Sequence, residues 1–443
     1  MEYPVLPRPS LTFTVPSLHD GLPIDCRIYH PQSLDANPDS PPWQKHAAVI
    51  AHPYAPLGGC YDDPIVDIVA GTLLRLGFLV GTFNFRGAHG SAGRTSWTAK
   101  AERADYMSVV GFVAHYAHFL EPFRDGTPIV AENADIDGAC HAADTAGQHI
   151  TPVLLQGGYS YGSMITSQLP SLGSIVGLFN APECGTPAAE IRLRAQHLAE
   201  MQNTVLASAR EASVTHIGPR SPRKHVGLRV GGDESSRRTS HESPRSRSAD
   251  FEETIRHGVA ELMARTRKGH RRSRSGRIHP PQTPNGTEEA APNHLLPVAN
   301  FLAPSPAYLL VSPLQGIINN LASMSLPPLL SAPGKAWARF SLRGSDAAAE
   351  SESPETDGAV PHITPTEAED KLVHHTTLAI YGDRDGFVPV RKLREWASRL
   401  ENVDGSKFRA HEVSSATHFW APNNVALTLR NAVNTFGASL LGS

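Results

Sequence analysis

The stretch LLQGGYSYGSMI (154–165) sets a serine between two glycines, Gly158-Tyr159-Ser160-Tyr161-Gly162, after an apolar run and before a helix-forming one. A residue at the apex of a sharp strand-to-helix turn is held in a strained backbone geometry, so its neighbours two positions away must be small. The hydroxyl of Ser160 then stands clear of the strand at a helix N-terminus, where developing negative charge is favoured. A serine hydroxyl is a poor nucleophile at neutral pH. It needs a base within hydrogen-bond reach, and the base needs an orienting acid. Two later segments supply both in order. TLAIYGDRDGFVP (377–389) carries Asp383 and Asp385, and FRAHEVSSATHFW (408–420) ends in a loop with His418. The 33 residues from Asp385 to His418 hold one helix and one strand.

Other residues compete for these roles. Asp383 is an alternative acid, or a turn residue that accepts backbone N–H groups. The chain has 22 histidines, so position must select among them. His52 lies in the loop after an early strand, where a structural role is expected, and His411 lies within a strand, where packing is expected. His115 and His118 share a helix face at i, i+3, but lack carboxylate or thiolate partners for a metal. Four cysteines (Cys26, Cys60, Cys140, Cys184) are scattered without CxxC spacing, which fits a reducing compartment and gives no cluster-type metal site.

The elements that must position Ser160, Asp385 and His418 alternate along the chain. Apolar runs at 46–53, 78–85, 151–160, 307–313, 377–383 and 408–413 read as strands ending in Gly, Pro or Asp. Helical patterns at 63–77, 102–120 and 390–401 separate them. Continuous apolar strands alternating with helices predict an α/β fold, a mainly parallel sheet with helices on both faces. Residues 11–17 and 24–31 flank DGLP and read as a hairpin. An amphipathic helix over 186–210, with Ile191, Ala195, Leu198 and Val205 on one face, is either a cap over a site or a plain packing helix.

Part of the chain is not built for a core. Among 443 residues, 36 are Gly and 37 Pro, too many for a coiled coil or helical bundle. Between 212 and 278 there are 16 Lys and Arg against 7 Asp and Glu, although the whole chain carries a net charge of −3. This Ser/Arg/Pro-rich stretch lacks the apolar surface to offset chain ordering, so 209–300 is expected to be a largely disordered insertion. Within it, Phe251, Ile255, Val259, Leu262 and Met263 recur at helical spacing. An acidic low-complexity loop is expected over 343–370. The predicted core is then 8–183 and 301–443, one domain, with 184–208 as the candidate cap. The basic stretch has no interleaved aromatic residues, so a nucleic-acid stacking platform is not expected. The apolar run nearest to a membrane span, over 65–83, is broken by Asp67 and Arg75. The N-terminus MEYPVLPRPS has no basic region followed by an apolar core, so no secretory signal is expected. The expected location is the cytoplasm, with the Ser/Arg-rich segment as a candidate nuclear-import signal.

Six blocks together carry a resemblance: AHPYAPLGG (51–59), FNFRGAHGSAG (83–93), AERAD (101–105), GYSYGS (158–163), YGDRDGFVP (381–389) and ATHFW (416–420). The chain resembles the α/β-hydrolase superfamily, near its predicted small cytosolic hydrolases, with the blocks in the family's order and the two low-complexity insertions without counterpart. The resemblance implies an α/β-hydrolase fold, a serine hydrolase of carboxylesterase type acting on a small ester, thioester or amide, and no cofactor. It implies Ser160 as nucleophile, His418 as general base and then acid, and Asp385 as the orienting carboxylate, since the family places this acid three residues after the glycine. It implies an oxyanion hole from the backbone N–H groups of Tyr54 and Tyr161. Arg86 and Asp105 fall in matching blocks, where a bracing role is expected. Ala88 and His89 stand where the family shows a simpler glycine-containing turn. A different class remains open: a non-catalytic module acting through its basic insertion.

Overall fold

Along the strand Ala47–Ala51 successive side chains enter two different cores. Ala47, Val49 and Ala51 belong to one cluster, and Ala48 and Ile50 to the other. The same alternation runs through Ser305–Val311, where Tyr308 and Leu310 face one way and Ala307, Leu309 and Val311 the other. A strand with period-2 burial on both faces must lie in the middle of a covered sheet. The computed structural model of the chain describes residues 6–123, 151–217, 253–262, 264, 293–314 and 367–442.

In chain order the strands are β1 (Leu11–Pro16), β2 (Pro23–Tyr29), β3 (Ala47–Ala51), β4 (Leu79–Phe83), β5 (Val153–Tyr159), β6 (Ser305–Val311), β7 (Thr376–Arg384) and β8 (Phe408–Thr417). They form one eight-stranded sheet in the order β1-β2-β4-β3-β5-β6-β7-β8. The β1–β2 hairpin adds antiparallel to β4, and all the other pairs are parallel. The order reverses between β3 and β5. At such a point the loops leaving the two strands diverge to opposite faces and open a crevice at the strands' C-terminal ends.

The helices are α1 (Pro64–Arg75), α2 (Lys100–Phe119), α3 (Tyr161–Gln168), α4 (Leu172–Gly177), α5 (Pro187–Ile217), α6 (253–262), α7 (Glu367–His374), α8 (Val390–Glu401) and α9 (Asn423–Leu441). Helices α1 and α9 cover one face, through Val66, Val69, Leu73, Leu429 and Val433. The other face is covered by α2, α3, α5, α7 and α8, through Tyr106, Phe112, Met164, Leu198, Leu372 and Leu393. The strands and helices predicted from the sequence are present, with Phe251 and Met263 of the helix predicted in the basic stretch outside the described residues. Helices α4, α7 and α9 were not read. For α9 the spacing of Val425, Ala426, Leu429, Val433, Phe436 and Leu440, all buried, carries the signal.

Helix α5 packs along α2 and β1. Arg194 donates to the carbonyl of Thr14 at 2.8 Å, and Asn203 donates to that of Phe119 at 2.9 Å. Ile191, Ala195 and Leu198 are buried, but Val205 is exposed, and its neighbour Leu206 packs against the core in its place. Within the basic stretch α6 docks on α5. Ile255 and Val259 are buried, and the missing side chain of Gly258 admits the ring of His197. Residues 293–300 are also described, with Leu295 buried and its N–H bonded to the carbonyl of Pro182. The rest of the 209–300 stretch after Ile217, and 343–366 of the acidic loop, lie outside the described residues. No helix among the described residues is long and apolar enough to cross a membrane.

A buried ion network ties the loop after β4 to the end of β1 and to α2. Arg86 Nε and Nη2 donate to Asp105 Oδ2 and Oδ1 at 2.9 and 2.7 Å, and Nη1 donates to Asp20 at 2.9 Å. Ser17 Oγ donates to Asp105 Oδ1 at 2.6 Å. Burial works against the guanidinium charge, but the bonds to Asp105 and Asp20 outweigh it and raise the pKa of Arg86 above the usual arginine value. In the same loop His89 takes φ 41°, so a side chain occupies left-handed backbone that glycine adopts without penalty. Asp105→Ala removes the buried carboxylate that holds the guanidinium and leaves Arg86 only the exposed Asp20 as a charged partner, so it is expected to destabilise the fold by up to about 3–5 kcal/mol. Urea unfolding should show this loss, with Arg86→Ala similar and the double variant costing less than the sum.

Candidate active site

The site is built where β5 turns into α3. Ser160 sits at that turn with φ 56° and ψ −114°, a conformation that costs a residue with a side chain about 1–3 kcal/mol. The backbone around it offsets the strain. Ser160 N–H donates to the carbonyl of Val311 on β6 at 2.8 Å, and its own carbonyl accepts from the N–H groups of Ser163 and Met164. The two glycines of the motif are required by contact. A Cβ on Gly158 would lie 2.3 Å from the carbonyl carbon of Gly162, and one on Gly162 would lie 2.5 Å from the carbonyl oxygen of Ala51. Helix α3 therefore starts pressed against the end of β3.

The structure brings Ser160, His418 and Asp385 together. His418 Nε2 is 2.8 Å from Ser160 Oγ, and His418 Nδ1 is 2.7 Å from Asp385 Oδ2. All three residues are buried. The second carboxylate oxygen of Asp385 accepts from the N–H groups of Phe387 and Val388 at 2.8 and 3.1 Å, which fixes its plane. With Nδ1–H donating to Asp385, the lone pair of Nε2 faces the serine hydroxyl. A neutral imidazole so placed can take the Ser160 proton.

Asp383 has another task. Its Oδ1 accepts from the N–H of Ser415 at 2.7 Å. The β7–β8 pairing shifts here, from Gly382 opposite Val413 to Arg384 opposite Thr417. Extra residues on β8 form a bulge, with Ser415 at φ 65°, and a Cβ on Gly382 would meet the carbonyl oxygen of Ala416 at 2.1 Å. Such a bulge bends its strand and re-aims the residues that follow, here His418. Several further groups that hold His418 were not identified from the sequence. Tyr159 Oη donates to the His418 carbonyl at 2.9 Å, Ser312 Oγ donates to it at 3.4 Å, and Trp420 Nε1 donates to Ser312 Oγ at 3.1 Å. Their only sequence signal is position, since each lies at a strand end or beside a site residue.

The amide of Tyr161 is the first of α3, so no carbonyl within the helix can accept from it. Tyr54 precedes a single turn of 3₁₀ helix over Ala55–Leu57, in the loop that leaves β3. That loop folds back tightly, and a Cβ on Gly59 would lie 2.3 Å from the Pro53 carbonyl oxygen. Among the described residues neither amide donates to a protein acceptor. The two rings lie side by side, their centroids 5.1 Å apart. The register of β3 against β5 pairs Ala51 with Gly158, which brings the two loops to the same point on the sheet edge.

The competing histidines are used otherwise. His411, expected to pack, is exposed, because β8 is the last strand of the sheet. His115 Nδ1 bonds the Gly111 carbonyl at 2.8 Å, and the rings of His115 and His118 both lie against Phe301. No group of three or more His, Cys, Asp or Glu able to hold a metal occurs among the described residues.

A sheet in this order, with a strand–Gly-x-Ser-x-Gly–helix turn after the fifth strand and carboxylate and imidazole after the seventh and eighth, is the α/β-hydrolase fold. Neither a family model nor a curated protein matches the sequence. Among solved structures the chain is similar to an α/β serine hydrolase homologue from Coxiella burnetii, at 11% identity and a TM-score of 0.39, over 97% of this chain and 98% of that one. It is similar to an α/β serine hydrolase without lid from Xanthomonas campestris, at 14% identity and a TM-score of 0.38, over 98% and 95%. Est1E from Butyrivibrio proteoclasticus is similar at 11% identity and a TM-score of 0.40, over 98% and 100%.

His52 is fully buried beneath the β3 loop. Its Nδ1–H donates to the Pro53 carbonyl at 2.5 Å, and Nε2 accepts from the N–H of Phe85 at 2.8 Å. Both nitrogens are thus committed to backbone with the ring neutral. Burial pushes its pKa down from 6.5 to about 4, and burial does the same to His115. An unfolded chain binds these protons more readily than the folded one. The stabilisation is therefore complete above pH 6.5 and is lost as pH falls toward 4, by about 3 kcal/mol for His52 alone. Denaturant unfolding at a series of pH values should show this fall, and His52→Gln should make it shallower.

Proposed function

We infer that the protein is a serine hydrolase that cleaves a carboxylic ester, thioester or amide through an acyl-enzyme on Ser160. The observation that carries this reading is the pair of hydrogen bonds, 2.8 Å and 2.7 Å, linking Ser160, His418 and Asp385 across separate strand ends. An imidazole beside a serine on a strained turn, oriented by a buried carboxylate, has the parts that activate an alcohol for attack on a carbonyl.

The steps follow from the positions. As Ser160 Oγ attacks the carbonyl carbon, its proton passes to His418 Nε2. The carbonyl oxygen becomes an oxyanion, to which the N–H groups of Tyr54 and Tyr161 donate, assisted by the N-terminus of α3. Asp385 stabilises the imidazolium without taking its proton. His418 then gives the proton to the departing alcohol, thiol or amine, leaving the acyl group on Ser160. A water activated by the same imidazole releases the acid and restores the serine. Esters are the best candidates, since an alkoxide needs less assistance in leaving than an amide nitrogen. No step calls on a cofactor.

Labelling with a fluorophosphonate probe tests the reading. The wild-type chain is expected to label, and Ser160→Ala is expected to stay folded and unlabelled. Turnover of p-nitrophenyl esters of increasing chain length should fall by more than about 10⁴-fold in Ser160→Ala and nearly as far in His418→Ala, because the residues act as a unit. Folded wild-type protein that neither labels nor turns over any ester or thioester would instead favour the non-catalytic module acting through its basic insertion.

A further inference from the structure

Two phenyl rings sit over the outer side of the His418 imidazole. The ring of Phe387 has its centroid 4.5 Å from that of His418, and the ring of Phe419 lies 5.5 Å away, edge-on to it. The two phenyls meet each other edge to face at 5.6 Å. Although both rings touch a buried residue, Phe387 is 46% exposed and Phe419 50%, and together they form a contiguous exposed apolar patch. Neither ring is needed to hold the acid. Asp385 is fixed by the backbone N–H groups of Phe387 and Val388, and the His418 carbonyl by Tyr159 and Ser312. The pair therefore forms a half-exposed aromatic wall against the ring of the base that must deliver a proton to the leaving group.

The reaction fixes what can lie against that wall. The acyl carbon is joined to Ser160 Oγ, and the oxyanion points to the Tyr54 and Tyr161 amides. The oxygen of the departing alcohol must reach His418 Nε2 within hydrogen-bond distance. The substituent on that oxygen then extends away from Ser160, past the imidazole, where Phe387 and Phe419 stand. The acyl chain leaves the carbonyl carbon in another direction and does not meet them.

We propose that Phe387 and Phe419 form the alcohol-side subsite and select esters whose alcohol carries an aromatic or bulky apolar group. The proposal rests on the hydrolase reading given above. Aromatic contact of this kind strengthens binding by about tenfold when it is made in the transition state for acylation.

The test uses the full chain and one acyl group, chosen as the best accepted in the p-nitrophenyl series. Methyl and benzyl esters of that acid share the same acyl-enzyme and have leaving alcohols of closely similar basicity. For the wild type the benzyl ester is expected to exceed the methyl ester by about tenfold or more in kcat/KM. Phe387→Ala and Phe419→Ala should each lower that ratio by at least about threefold, and the double variant should bring it near unity. Phe387→Leu, which keeps apolar bulk at the position, should retain part of the ratio. Deacylation occurs after the alcohol has left, so the variants' loss should fall on benzyl-ester acylation well beyond any effect on deacylation. A wild-type ratio at or below one would overturn the proposal, as would a ratio that survives in the double variant. An equal slowing of acylation and deacylation would also overturn it, since the rings would then be holding His418 and not the substrate. Absence of any Ser160-dependent turnover would remove the hydrolase reading itself, an outcome distinct from intact turnover with an unaltered ratio.

Discussion

The start of α3 lies so close to the end of β3 that hydrogen is the only side chain that fits between them. Gly162 approaches the Ala51 carbonyl and Gly158 approaches Gly162 at distances no Cβ could tolerate. This contact forces the turn at Ser160 into positive φ and sets its hydroxyl above the sheet edge. It also brings the loop leaving β3 alongside Ser160, because the contact is between the two chain segments that flank the reversal of strand order. Losing either glycine would disturb the serine and the neighbouring loop together.

The imidazole must reach this point from two strands beyond β6, and the sheet edge alone would not carry it there. The bulge between β7 and β8 supplies the bend. Asp383 holds the bulge through Ser415, Gly382 makes room for it, and Asp385 on the same loop meets the far side of the His418 ring. Two aspartates two residues apart thus do different work: one shapes the strand and the other bonds the His418 imidazole. Behind the imidazole, Tyr159 and Ser312 hold the His418 carbonyl from the ends of β5 and β6. The three site residues are fixed by the middle of the sheet, although His418 follows an edge strand.

The charged residues outside the site show the same division between holding and reacting. Arg86, Asp105, Asp20 and Ser17 form a closed network that braces the loop after β4. His52, the nearest rival to His418 by position, is neutral and spends both nitrogens on backbone. Lys371 on α7 is also buried, donating to the carbonyls of Thr166 and Leu169 at the end of α3, and burial pushes its pKa down to about 7. Each of these groups is consumed by the scaffold, whereas the hydroxyl of Ser160 and the imidazole of His418 face each other at 2.8 Å and form the pair to which we assign the reaction.

The alternation of apolar strands with helices, the paired glycines around Ser160 and the acid-before-histidine order were legible because each is local, depending on a few adjacent residues and their periodicity. By itself the sequence determined the strands and most of the helices, and which residue types stand at their ends. It did not determine that His411 would be exposed, since that depends on β8 being outermost, or that Asp383 would shape a bulge, since that depends on a partner 32 residues away. Nor could spacing reveal that Phe387 and Phe419 lean on the same imidazole. Those facts were decided by the tertiary structure, because strand order, register and the bulge are collective properties of the sheet, settled only when distant segments pack together.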